Sequence, residues 1–307
     1  MQLEGIHHIS SITGDAAANV DFYVGVLGMR LAKKTVNQDD PSVYHLFYGD
    51  EHGSPGYDMT FFEYPGARPG RAGAGMVHRI QLRVTDAAAL DFWAERLGAR
   101  GIAVERDEHS LRFDDPEGLG LELVIDESGD EPLLARSADI PAEHAIRGFA
   151  GVRAYGDPSV TRPVVEELLG FTAEGEDGWE VRGDRRGGTY VVDPAPAEHG
   201  IPGAGTVHHI AFAMEMADED AWQAQVTRAG RRPSPLIDRF YFHSIYFREP
   251  GGVLFELATM GPGFTADQPE SELGSSLALP PFLEPHRAEI EAVLSPLPDP
   301  RAAGANA

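Results

Sequence analysis

One plan recurs four times along the 307 residues of this chain, and few folds accommodate it. Each copy opens with an alternating apolar run, the pattern of a half-buried strand. A stretch with helical spacing follows and stops at a glycine, as helices commonly do. Further strand-like runs close the copy. The first copy runs from GIHHIS through DFYVGVLGMRL (21–31) to MTFFEYP (59–65), the second from GMVHRIQLRV (75–84) through DFWAERLGARG (91–101) to FDDPEGLGLELV (113–124). The third runs from RGFAGVRAYGD (147–157) through VVEELLGFTA (164–173) to GGTYVVDP (187–194), the fourth from GTVHHIAFAM (205–214) through AWQAQVTRAGRR (221–232) to FREPGGVLFELAT (247–259). The predicted helix stops are Gly28, Gly98, Gly170 and Gly230. Each copy therefore reads as βαβββ and the whole chain as α+β. Proline-rich or polar breaks divide it into modules at 1–66, 67–126, 145–196 and 197–260, a linker at 127–144, and a tail at 261–307 with one helix expected over 284–295.

Composition narrows the chemistry. There is no cysteine, so any metal must be held by histidine, carboxylate or water. The formal net charge of −24 repels nucleic acid and anionic membranes. No apolar run is long enough to span a bilayer, and no basic-then-apolar leader opens the chain, so a cytoplasmic location is expected. Only two of the 25 basic residues are lysine, Lys33 and Lys34. A GC-rich genome gives that balance, and so does a salt-adapted cytoplasm.

Two of the four copies differ from the others. Aligned on their opening strands, His8 coincides with His209, and each precedes an isoleucine. The second copy has Arg79 at that place and the third has Gly151. Aligned on their closing strands, Glu256 coincides with Glu122 and, roughly, with Glu63. Two imidazoles and one carboxylate are the set that holds Fe(II) and leaves positions open for substrate and oxygen; Mn(II) accepts the same donors. Strand alternation puts His7 and His8 on opposite faces, and likewise His208 and His209, so one of each pair points inward.

This plan resembles the vicinal oxygen chelate superfamily over about residues 4–260. The resemblance implies paired modules whose curled sheets enclose a metal held by their first and last strands. It places the ligands on the histidine before each isoleucine, hence His8 and His209 with Glu256, and leaves His7 and His208 at the rim or on the other face. Ligands from the first and fourth copies converge only if those two share a sheet, which leaves the second to pair with the third.

The segment IDRFYFHSIYFREPGGVLFELAT (237–259) is similar to the ring-cleaving dioxygenases that open hydroquinones, as are SITGD near the start, TFFEYP, and PGFTAD followed by LGSSLALPPFLEPHR. That resemblance implies Fe(II)-dependent cleavage of a para-dihydroxylated ring with both atoms of O2 incorporated. It implies Arg239, Tyr246 and His208 in catalysis, and His7, Ser10 and His243 near the substrate, His243 being one place off the Arg239–Tyr246 parity. The expected partners are a small aromatic and O2, with a homo-oligomer left open. Two other readings compete. A glyoxalase-type isomerase would add Glu63 as a fourth ligand, and a metal-free protein of the bleomycin-resistance kind would bind a flat cationic drug in an acidic, aromatic groove.

Overall fold

The computed structural model describes residues 1–301. The first unit comprises β1 (Ile6–Thr13), α1 (Ala16–Val20), β2 (Arg30–Asn37), β3 (Asp40–Gly49) and β4 (Asp58–Glu63). The second comprises β5 (Met76–Val84), α2 (Ala87–Gly98), β6 (Glu105–Arg106), β7 (Ser110–Asp114) and β8 (Gly120–Ile125). The third comprises β9 (Phe149–Gly156), α3 (Pro158–Arg162), β10 (Thr172–Ala173), β11 (Gly178–Arg182) and β12 (Gly187–Pro194). The fourth comprises β13 (Thr206–Met214), α4 (Glu219–Arg228), β14 (Ile237–Asp238), β15 (Phe242–Arg248) and β16 (Leu254–Pro262). Four βαβββ units are thus present, as the repeat predicts.

They join into two eight-stranded sheets, β14-β15-β16-β13-β1-β4-β3-β2 and β10-β11-β12-β9-β5-β8-β7-β6. The centre of the first sheet is the antiparallel pair β1–β13, and the centre of the second is β5–β9. The first unit is therefore paired with the fourth and the second with the third. Alternation along the central strands sorts the two faces of the first sheet. Ile9, Phe61, Ile210, Phe212, Phe255 and Leu257 enter a core continuous with Ile80, Leu82 and Tyr190 of the second sheet and Trp93 of α2. Their neighbours His8, Ser10, His209 and Glu256 are buried too, on the opposite, concave face.

The helices of the first three units begin where an aspartate caps them: Asp15 accepts from the Ala18 N–H, Asp86 from that of Ala89, and Asp157 from that of Ser159. In the first and third units the helix continues as a wider π-helical stretch, Asp21–Val26 and Pro163–Leu168. Gly28 closes the first at φ 71°, and a Cβ there would lie 2.4 Å from Ile140 Cδ1, so both conformation and space require glycine. In the second unit Gly98 is the last helical residue, and the positive φ falls on Gly101 instead. The expected tail helix is divided into a 3₁₀ turn, Glu284–His286, and α5, Arg287–Val293.

Both lysines hold the tail against β2. Lys33 is buried; its Nζ donates to the Phe264 carbonyl at 3.1 Å, Asp267 Oδ1 at 2.5 Å and Gln268 Oε1 at 2.8 Å, and it lies 4.6 Å above the Tyr241 ring. Lys34 donates to the Leu297 carbonyl at 2.8 Å. Removing a cation from such a set leaves its acceptors unpaired. Lys33→Met is expected to lower unfolding stability by about 1–3 kcal/mol, measured as a fall in Tm, whereas an exposed arginine such as Arg185→Met leaves it within about 0.5 kcal/mol.

Candidate active site

Three donor atoms converge on the concave face of the first sheet. His8 Nε2 lies 3.1 Å from Glu256 Oε2, His209 Nε2 lies 2.9 Å from the same oxygen, and the two imidazole nitrogens are 3.2 Å apart. All three residues are buried, and they form the one such cluster among the described residues. Glu256 Oε2 is sealed from solvent yet has no partner in hydrogen-bonding geometry. The lone pairs therefore point at a common centre. Metal–ligand bonds of about 2.1 Å at right angles space neighbouring donors by about 3.0 Å, whereas a tetrahedral centre spaces them by about 3.4 Å. The observed spacings of 2.9–3.2 Å let all three donors share one ion, and the donor set fits a divalent metal with open positions.

The remaining atoms of these side chains are oriented by their neighbours. Ser244 is buried and donates to Glu256 Oε1 at 2.6 Å, which leaves Oε2 for the centre. His8 Nδ1 lies 2.9 Å from His7 Nδ1, and His7 Nε2 lies 3.1 Å from the Thr259 carbonyl. A carbonyl only accepts, so His7 donates from Nε2, accepts at Nδ1, and holds His8 in the tautomer whose Nε2 lone pair is free. His209 Nδ1 meets His208 Nδ1 at 2.7 Å in the same manner. Burial opposes ionisation of Glu256, but the two imidazoles beside it outweigh that and hold it well below the usual carboxylate range. Burial, and then His8, push His7 down to about 3, so it is neutral at physiological pH.

Consecutive histidines meet because both strands bulge there. In the β1–β13 ladder Ile6 pairs with Phe212 and His8 with Ala211, so His7 is an extra residue; Ser10 pairs with His209 and Ser11 with Val207, so His208 is another. The simple alternation expected for each HH pair is overturned by these bulges.

A cavity of about 350 Å³ opens over the three donors. Phe47, Phe62, Phe242 and Leu254 supply apolar wall, and His8, His45, His208, His209, Arg239 and Tyr246 supply polar groups. The expected residues His208, Arg239 and Tyr246 thus line it. Arg239 sits at the rim with two N–H groups on Asp39, at 3.0 and 2.9 Å, and its guanidinium 5.7 Å from the Tyr246 ring centroid. Burial raises the Tyr246 hydroxyl above its ordinary value, and Glu256 adds to the effect.

Three expected substrate contacts are not on the cavity wall. His7 is buried behind His8. Ser10 is buried and bonded to Thr60 Oγ1 at 2.7 Å. His243 turns away to Glu219, at 2.8 Å, as its parity foreshadowed. His45 and Ser244 were not singled out from sequence. Ser244 had a signal, since it shares the parity of Tyr246, which pairs with Glu256; His45 lies on β3, where no repeat marks it.

Register also decides the fourth-ligand question. Ala211, two residues after His209, pairs with Glu256; Ser10, two residues after His8, pairs with Thr60. The counterpart of Glu256 is therefore Thr60, and Glu63 lies three residues beyond, where its Oε1 accepts from the Ala16 N–H at 3.1 Å. In the second sheet Gln81 pairs with Glu122 and with Gly151. A Cβ on Gly151 would fall 2.0 Å from Thr189 Oγ1, and Glu122 is taken by Gln81 and Arg112, so no equivalent centre forms there.

The Glyoxalase/Bleomycin resistance protein/Dioxygenase superfamily profile matches residues 5–123. Over 97% of this chain and 100% of the relative, 42% of residues are identical to the "Putative ring-cleaving dioxygenase MhqA" of Bacillus subtilis (strain 168). The chain belongs to that superfamily. It is also 34% identical to the chlorohydroquinone/hydroquinone 1,2-dioxygenase of Sphingobium indicum, over 94% of this chain and 95% of that one. A solved structure of a "putative dioxygenase" from Bacillus subtilis superposes with a TM-score of 0.89 at 40% identity, covering 96% of this chain and 98% of that one.

Anaerobic addition of Fe(II) at about 100 times its Kd is expected to raise stability by about 2.7 kcal/mol. His209→Ala is expected to abolish that rise and any metal binding while the chain stays folded. Glu63→Gln keeps the iron and costs at most a helix-capping contact, about 1 kcal/mol. Metal analysis and thermal unfolding of the three proteins read both effects.

Proposed function

We propose that this enzyme is an Fe(II)-dependent dioxygenase that cleaves hydroquinone-type, para-dihydroxylated aromatic rings. The observation that carries this reading is the three-donor face at the floor of a ring-sized aromatic cavity, with Thr60 where a closed four-ligand set would have its second carboxylate. The full-length likeness to proteins named as ring-cleaving dioxygenases, one of them for hydroquinone, supports it. His8, His209 and Glu256 would hold the iron, which when bound supplies positive charge for a phenolate oxygen and a site for O2.

The rest of the chemistry falls to the chain's own side chains. Phe47, Phe62, Phe242 and Leu254 bury the faces of the ring and exclude water from it. His208, which burial and then His209 push down to about 4, is neutral; its Nδ1 accepts from His209 and it presents Nε2–H toward the cavity as a hydrogen-bond donor to the reacting oxygens. Tyr246 stands 5.7 Å from the His209 ring, ring centre to ring centre, within reach of the same oxygens. Arg239 keeps three N–H donors beyond the two on Asp39, and their charge favours an anionic ring at the mouth.

The test is anaerobic reconstitution with Fe(II), or with Mn(II) in a parallel sample, followed by oxygen-electrode assays on hydroquinones and catechols. Oxygen uptake with ring-opened product is expected from a hydroquinone, with catechol poorer. No uptake with any hydroquinone, or thioester formation from a hemithioacetal, overturns the reading. Loss of one group that acts in the transition state costs roughly 100- to 1000-fold in rate. His208→Ala is expected to retain iron and lose about that much kcat, while Arg239→Ala chiefly raises KM, as steady-state kinetics on the best hydroquinone will read.

A further inference from the structure

His45 is the one histidine of the cavity wall that the proposed chemistry leaves without a task. Its ring is sandwiched between Phe47 and Phe62, with centroids 4.0 and 4.2 Å away, so it cannot swing freely. Its Nε2 lies 2.9 Å from Thr60 Oγ1, and Thr60 Oγ1 lies 2.7 Å from Ser10 Oγ. Ser10 and Thr60 are both fully buried. Among the described residues Nδ1 has no partner; it is not one of the sealed orphan atoms, so it opens on the cavity that the ring lines.

Counting hydrogens along this chain selects the tautomer. If His45 donated from Nε2 to Thr60, Thr60 would donate to Ser10, and the Ser10 hydroxyl hydrogen would have no acceptor in a dry site. An unsatisfied buried donor is costly. In the reverse direction Ser10 donates to Thr60 and Thr60 donates to His45 Nε2, so both buried hydroxyl hydrogens have a partner. The proton on the ring is then on Nδ1, facing the cavity. Thr60 can play this part because it stands where Glu256 stands in the other half of the sheet. The position freed of a ligand has become a support for a group on the neighbouring strand β3. Burial, reinforced by His8 and His209, holds His45 well below the usual imidazole range, so the ring stays neutral.

We propose that His45 contacts the substrate directly, donating a hydrogen bond from Nδ1–H to the ring oxygen that points away from the His8, His209 and Glu256 donors. This rests on the hydroquinone reading above and assigns para-oxygen recognition to a neutral donor inside the cavity, with Arg239 acting at its mouth. His45 is then a specificity-determining residue, and Thr60 and Ser10 are positioning residues that act through it.

Two near-isosteric phenols test the donor role without turnover. 4-Methoxyphenol offers an acceptor oxygen at the para position and 4-ethylphenol does not. Their dissociation constants are measured by calorimetry on the anaerobic Fe(II) protein. A single neutral hydrogen bond typically corresponds to about a 3- to 10-fold change in affinity, so the wild type is expected to prefer 4-methoxyphenol by about that factor. His45→Phe, which keeps the aromatic stack, is expected to bring the ratio close to one with iron content unchanged. Thr60→Val, which removes the hydroxyl but keeps the shape, is expected to reduce the ratio as well, and it stands as the test should His45→Phe not fold. A wild-type ratio near one, or an undiminished ratio in the variants, overturns the proposal. So does a dependence on His45 seen for hydroquinone but not for 4-methoxyphenol, which would make the ring an acceptor. Oxygen uptake with hydroquinone is recorded on the same wild-type sample; its absence would sink the catalytic reading while the phenol ratio still reports on His45.

Discussion

Everything at the site depends on one ladder, the antiparallel pairing of β1 with β13. It joins strands whose facing histidines are 201 residues apart in sequence. Closing so long a loop costs only slowly more as length grows, and the ladder repays it by completing an eight-stranded sheet with a fully buried inner face. Pairing the first unit with the second instead would satisfy the same strands but leave His8 and His209 on separate sheets. The donor spacing of 2.9–3.2 Å is therefore a consequence of strand order, with Ser244 and His7 setting which atom of each donor faces inward.

The two halves of that sheet are related by a local pseudo-symmetry, and the chemistry lies in where it fails. His8 answers to His209, and His7 to His208, down to the bulge that brings each pair of rings together. The correspondence stops at the third donor. One half carries Glu256 and the other carries Thr60. An equivalent carboxylate would add a fourth ligand and close the centre. Thr60 instead leaves room on that side and turns its hydroxyl to His45. In the second sheet the same frame holds no donor cluster, because Gly151 is crowded by β12 and Glu122 is neutralised by Arg112.

The long tail serves the site at one remove. Buried Lys33 ties Asp267 and Gln268 to β2 and sits over Tyr241, which lines the cavity and gives its hydroxyl to Asp267 at 2.8 Å. A chain with two lysines has thus placed both beneath its tail, where the point charge and flexible stem of an ammonium suit several acceptors at once. The acidic outer surface is left entirely to arginine for its positive charge.

The sequence by itself determined the repeat. Apolar alternation, helical spacing and glycine stops are local signals, so the four units, their order and most of their elements were legible without coordinates. The candidate cluster of His8, His209 and Glu256 was legible too, from histidine where the other copies carry Arg79 and Gly151 and from aligned closing strands, with the family resemblance choosing His8 over His7 and His209 over His208. Only the tertiary structure decided what depends on register. A bulge adds one residue to one strand and leaves no mark in hydrophobic periodicity, so the contacts of His7 and His208 could not be read. A difference of three residues between Thr60 and Glu63 is invisible until β1 and β4 are paired. Ser10 and His243 stood near the ligands in sequence, yet one is sealed behind Thr60 and the other faces Glu219. His45 had no sequence signal, since its partners come from two other strands and its task from the face on which β3 lies. Pattern along a chain records which side of a strand is buried; which neighbour lies across the ladder is a property of the folded sheet.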